Sequence, residues 1–255
     1  MHLMIPGAGS TVEAFCQDPA FRPHLGFMVT PNTGNSIKRL CGWGVPWCAD
    51  NAAFSRFDSR CFLAMCRKIQ EAPTPPVFVT VPDQVGNHEC TSYLFDRWLR
   101  YLDALGFDLP WAFVLQNGIE GPRDVPWDLI TAVFIGGDDD FKEDAVVTFE
   151  LIPEARRRGK WVHMGRVNGR RRLRLALHAD VDSVDGSSMA RFSRTLIPRF
   201  VQMTRDLTEE RDRLDATSAR LEAEIAALDR ARPAAPVAST GLRAPGAANE
   251  HEAAA

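Results

Sequence analysis

The 255-residue chain has no CxxC pair, no HxH or HExxH spacing, no apolar run near the roughly 18 to 20 residues that cross a bilayer, and no large charge of either sign. Each absence removes a class. Without the long apolar run a membrane-spanning reading falls. A formal net charge of -3 excludes a globally basic nucleic-acid binder, although a local patch stays open. Six unpaired-looking cysteines, together with the lack of a cationic and apolar leader, speak against a secreted disulfide frame and for reduced thiols in a cytoplasmic setting. Neither the His nor the Cys spacings fit zinc templates, so we expect no metal and no cofactor. What remains, 45% hydrophobic and 25% charged residues with 18 Gly and 17 Pro, is the make-up of an ordinary folded domain.

The chain changes character twice. From 232 to 255 it is Ala, Pro, Gly and small polar residues, which predicts disorder because little apolar area is available to offset chain entropy. Over 201–231, Leu207, Leu214, Leu221 and Leu228 recur every seventh residue with Ile225 between them. That spacing predicts a helix with one narrow apolar stripe, either a coiled coil that forms a homodimer or a terminal helix packed on its own domain.

Over 1–200, eight short apolar runs alternate with polar turns and helical stretches: Leu3–Pro6, Gly26–Thr30, Trp47–Asn51, Val77–Pro82, Trp111–Gln116, Ala132–Gly136, Trp161–Gly165 and Asp182–Asp185. Helices are expected over Cys61–Glu71, Glu89–Leu105, Lys142–Arg158 and Arg170–His178. Repeated strand and helix units imply a parallel sheet, and eight of them suggest a compact α/β fold, the (β/α)8 TIM-type barrel. An open doubly wound sheet is the alternative.

In such a barrel chemistry gathers where the strands end, and here those ends are polar. Asp50, Asp83 and Asp185 would face one cavity. Any one of them alone could merely cap a helix or make a turn, but three together suggest acid/base work, a nucleophile or recognition of N–H donors. Gly136-Gly137 allows either a tight turn or close approach of a ligand. Two basic clusters flank the seventh run. Arg156–Arg158 with Lys160 suits a solvated helix end as well as a phosphate, whereas Arg166 with Arg170, Arg171, Arg172 and Arg174 lies beyond the rim and points to a phosphate backbone. Trp43 and Trp47 read as core more readily than as base-stacking platforms.

The succession CADNAAF (48–54), VPDQVG (81–86), LQNG (115–118), FIGG (134–137), HMGRVNGRRRL (163–173) and DSVDGSS (182–188) resembles the tRNA-guanine transglycosylase superfamily. It is most similar to the compact phage and bacterial branch that inserts 7-deazaguanines into DNA. IPGAGS (5–10) and LGFMVTPNTGNS (25–36) extend the resemblance, which covers about residues 3–200. The resemblance implies a pentosyltransferase on a (β/α)8 barrel. Asp185 matches the nucleophile at C1′ and Asp50 a general acid/base. Asp83 matches the acid that reads the N–H edge of the base, and Gln116, Gly136, Gly137 and Met164 match the rest of the base-binding set. The implied partners are DNA, single-stranded or with a flipped base, and a free 7-deazaguanine such as preQ0. Two departures are evident: DNAAF stands where the tRNA enzymes have DSGGF, and their CxCxxC-plus-His zinc site has no counterpart. The second favours DNA over tRNA as acceptor. Exchange on tRNA, hydrolysis by the same carboxylates, and a non-catalytic nucleic-acid-binding barrel are the competing readings.

Overall fold

The computed structural model describes residues 1–7, 9–32, 34, 36–186 and 191–231; the expected disorder of 232–255, and Ser187 and Ser188 of the DSVDGSS stretch, lie outside the described residues. Eight strands form: β1 (His2–Pro6), β2 (Leu25–Val29), β3 (Trp47–Ala49), β4 (Val79–Thr80), β5 (Trp111–Leu115), β6 (Ala132–Ile135), β7 (Trp161–Met164) and β8 (Ser183–Asp185). Each pairs in parallel with the next, and β8 pairs with β1, so the sheet closes into a barrel. The open-sheet alternative is thereby removed. Every expected run overlaps one of these strands, with β1 and β2 starting one residue before theirs.

Alternation along the strands builds two cores. One set of side chains, including Leu3, Phe27, Trp47, Val79, Phe113, Val133, Val162 and Val184, faces the helices. Trp43 and Trp47 belong to this outer core, with Trp47 stacked on Phe27 at 5.5 Å. The other set, Met4, Met28, Cys48, Phe78, Ala112 and Ala132 with Phe134 and Trp161, fills the barrel. Because side chains repeat every two residues, this inward register runs on to Asp50, Gln116, Gly136 and Asp185 at the strand ends. The same pattern that packs the barrel therefore aims the polar residues at its mouth.

The helices are α1 (Ser10–Gln17), α2 (Ile37–Cys41), α3 (Ser59–Gln70), α4 (His88–Ala104), α5 (Asp139–Glu143), α6 (Ile152–Arg157), α7 (Arg170–His178) and α8 (Ser193–Ala231). α3 starts where the Asp58 carboxylate accepts from Cys61 N, and buries Phe62, Met65, Cys66 and Ile69 at helical spacing. Asn87 caps α4 in the same way through Cys90 N. The single helix expected over Lys142–Arg158 is three pieces. Asp138 caps α5 through Phe141 N, Asp144 leaves the helical conformation and accepts from Val146 N, and a π-helical turn over Val146–Leu151 leads into α6. Local carboxylate caps thus restart the chain where apolar spacing alone reads as continuous.

The chain divides into a compact unit, Met1–Arg211, and a second beginning at Asp212. α8 begins at Ser193 rather than near 201, and Ile197, Phe200, Val201 and Leu207 are buried in the core of the first unit. In the second unit Leu214, Leu221 and Ile225 are more than half exposed. The Leu228 side chain lies outside the described residues. All six cysteines are free, and no helix among the described residues is long and apolar enough to cross a membrane.

Candidate active site

A cavity of about 280 Å³ opens at the C-terminal ends of the strands. Its wall includes Asp50, Asp83, Gln116, Gly136, Gly137, Arg166 and Asp185, which the sequence marks, and Asn51, Phe54, Phe134 and Lys142, which it does not.

Asp50 follows β3. Among the described residues its carboxylate accepts two long bonds, from Ala52 N at 3.3 Å and Thr80 Oγ1 at 3.4 Å. Burial, then repulsion from Asp185 and Asp83, push its pKa from 3.8 to about 7. Near neutral pH it exchanges a proton readily, which is what a group acting as both acid and base needs.

Asp83 is held differently. Asn51 Nδ2 donates to one oxygen and Gln116 Nε2 to the other, each at 2.8 Å. Burial raises its pKa, while these two amides oppose the rise. Gln116 is itself fixed, since its Oε1 accepts from Gly86 N at 2.9 Å and Gly137 N at 2.8 Å. Glycine is required beside it: a Cβ on Gly136 would meet Gln116 Nε2 at 2.7 Å, and Gly137 has φ +61°. Gln116 therefore orients Asp83, whose remaining lone pairs are free to accept from the N–H edge of a ligand.

Asp185 ends β8. Arg166 N donates to Oδ1 at 2.9 Å, and His163 Nε2 lies 3.1 Å from Oδ2. His163 Nδ1 is 2.8 Å from Ser183 Oγ, which accepts from Trp161 Nε1 at 2.8 Å. Indole is a donor only, so the network is satisfied when Trp161 donates to Ser183, Ser183 to Nδ1, and Nε2–H to the carboxylate. Fully buried His163 is also wedged against Phe134 and Phe78, with ring centroids at 4.5 and 5.3 Å. Asp182, three residues earlier, accepts from Arg156 and Val162 N before β8 begins and does not line the cavity.

Ala52 and Arg166 have φ of 63° and 59°, a conformation that costs a residue with a Cβ about 1 to 2 kcal/mol. Both spend it in aiming a backbone N–H at a carboxylate, Asp50 or Asp185.

Two sets of expected site residues stand elsewhere. Met164 is fully buried in the outer core; it is one residue out of step with His163 and so faces the helices. Arg170, Arg171, Arg172 and Arg174 do not line the cavity. Arg170 and Arg174 pair with Glu210, Arg171 with Glu143 and Arg172 with Asp139. Arg166 does reach the mouth, where its guanidinium lies 4.3 Å over the ring of exposed Phe54. In the other basic cluster Arg156 pairs with Asp180 and Asp182, and Arg157 and Arg158 with Glu154.

Among the described residues no group of three His, Cys, Asp or Glu side chains could hold a metal ion. No protein-family model matches the chain, and no curated protein matches it. The barrel and its lined cavity define the class: an α/β barrel with a polar site at the strand ends.

Proposed function

We propose that this barrel is a transglycosylase that exchanges guanine in DNA for a free 7-deazaguanine base. The observation that carries the reading is the convergence of Asp50, Asp83 and Asp185 from three separate strand ends on one cavity, each in a different electrostatic setting. The motif order that resembles the transglycosylases supports it independently.

In this reading a carboxylate oxygen of Asp185 attacks C1′ of the deoxyribose. The C1′–N9 bond breaks, its electron pair leaves with guanine, and Asp50 donates the proton that neutralises the departing base. An ester now joins Asp185 to C1′. The incoming base gives its N9 proton to Asp50, and N9 attacks C1′ and displaces the carboxylate. Two displacements return the original configuration, as in retaining glycosidases. His163 and Arg166 N hold Asp185 on line, and Asp83 accepts from the N–H edge of either base. Reaching C1′ requires a single strand or a flipped nucleotide. Arg166 and Phe54 at the mouth suit a phosphate and a neighbouring base there. The heptad-spaced leucines of α8 support a homodimer.

The test is incubation with guanine-containing single-stranded DNA, or with tRNA, plus 7-cyano-7-deazaguanine, followed by nucleoside mass spectrometry. The expected result is a deazaguanine nucleoside from DNA with release of guanine, and none from Asp185→Ala at an unchanged melting temperature. Product from tRNA alone moves the acceptor to RNA. Wild-type turnover by Asp185→Ala, or guanine release without incorporation, overturns the mechanism.

A further inference from the structure

The proposed exchange leaves one residue of the cavity wall without a task. Lys142 on α5 is 1% exposed, yet it carries an ammonium with three N–H donors. Among the described residues its Nζ has one acceptor, Gly137 O at 3.5 Å, the outer limit of a hydrogen bond. No carboxylate of the described residues pairs with it, because the nearby Asp139 is taken by Arg172. Burial, and then the guanidinium of Arg166, lower its pKa, against a weaker opposing pull from the Asp139 and Asp185 carboxylates. A buried ammonium with unfilled donors is strongly unfavourable, and Met would occupy similar volume without that penalty. The missing acceptor is therefore to be sought in what fills the cavity.

Its position narrows the chemistry. Lys142 reaches the cavity beside Gly136-Gly137, whose backbone is tied to Gln116 and through it to Asp83. That is the wall on which a base would be read, whereas the exposed mouth, suited to a backbone phosphate, belongs to Arg166. The cavity, about 280 Å³, lies at the small end of ligand sites, which run from roughly 300 Å³. It fits a bicyclic base with a short substituent better than a nucleotide.

We propose that Lys142 determines which base is accepted, by donating to an acceptor or anionic substituent on the five-membered ring of the incoming base, a carboxylate, carboxamide or nitrile. The proposal rests on the base-exchange reading of the cavity. A base bearing an ammonium there meets like charge and is rejected. Guanine has no such substituent, so the same lysine separates the incoming base from the leaving one.

Titration calorimetry on the full chain with four free bases tests this: 7-carboxy-, 7-cyano- and 7-aminomethyl-7-deazaguanine, and guanine. Wild-type protein should bind the carboxylate tightest and the aminomethyl base weakest, the two differing by about tenfold or more. Lys142→Met should level the series, and Lys142→Glu should reverse it, with circular dichroism confirming that both variants fold. An aminomethyl base that binds wild type best, or an order that survives in Lys142→Met, overturns the proposal. So does a variant that loses DNA affinity while keeping the wild-type order, since the ammonium would then serve a phosphate. If wild type binds all four bases alike, the base site stands and this inference fails. If it binds none, the exchange reading fails and this inference falls with it.

Discussion

At the scale of single residues, the charge on one aspartate is governed by its neighbours. Asp185 is the second cause, after burial, of the raised pKa of Asp50. Replacing it by Asn should move the titration of Asp50 downward from about 7, read by carbon NMR of the side-chain carboxyl. A midpoint that stays put would mean the two carboxylates do not sense each other. The sign for stability follows from the same shift. Folded Asp50 keeps a proton that the unfolded chain releases above 3.8, so this group disfavours the folded state progressively as pH rises toward 7, and the effect is absent below 3.8. Asp50→Asn should therefore flatten the fall in denaturant midpoint between those limits.

The three acids and Gln116 were legible because each closes or follows an apolar run. Met164, which the resemblance implies for the base-binding set, faces the helices instead, because a motif match shows where a strand lies but not which of its residues face inward. His163 has no spacing that marks it; its contact with Asp185 depends on the pairing of β7 with β8, where His163 lies opposite Ser183. Lys142 was invisible as a site residue, since a lysine in a helical stretch ordinarily points to water.

At the scale of elements, apolar spacing located strands well and helix limits less well. Six of the eight strands fell inside an expected run and β1 and β2 began one residue before theirs, because an all-parallel sheet buried on both faces leaves unbroken apolar segments. α1 and α2 are only eight and five residues long, too short for spacing to announce them. α8 combines two roles that spacing could not separate: Leu207 is a core residue of the barrel unit, whereas Leu214, Leu221 and Ile225 are exposed. If those three form the seam of a coiled coil, replacing Leu214 and Leu221 by Asn should turn a concentration-dependent dimer into a monomer in sedimentation equilibrium, with the barrel's melting unaffected. A wild-type chain that sediments as a monomer at every concentration removes the dimer.

At the scale of the whole molecule, eight runs and their order were enough to predict the closed barrel, but the charge pattern was not enough to identify the contact surface. A cluster of arginines reads as positive only until its acidic neighbours are known, and Glu143, Asp139 and Glu210 come to α7 from distant parts of the chain. Arg166, for which no ion pair is found among the described residues, should matter most for DNA. Arg166→Ala should reduce the slope of log affinity against log salt by about 1, and Arg171→Ala by less. Equal slopes for both variants would place phosphate contacts on α7 as well.

Closure of the barrel brings the last strand against the first, with Asp185 opposite Met4. The carboxylate proposed as nucleophile thus sits on the line where the ends of the fold meet. A fluctuation that parts β8 from β1 would displace Asp185 while most of the hydrophobic interior stays intact. Loss of catalysis would then precede loss of structure on warming, and inactivation would be reversible until the remaining strands separate. The protein would carry its own thermal cut-out, set by this one junction rather than by its overall stability.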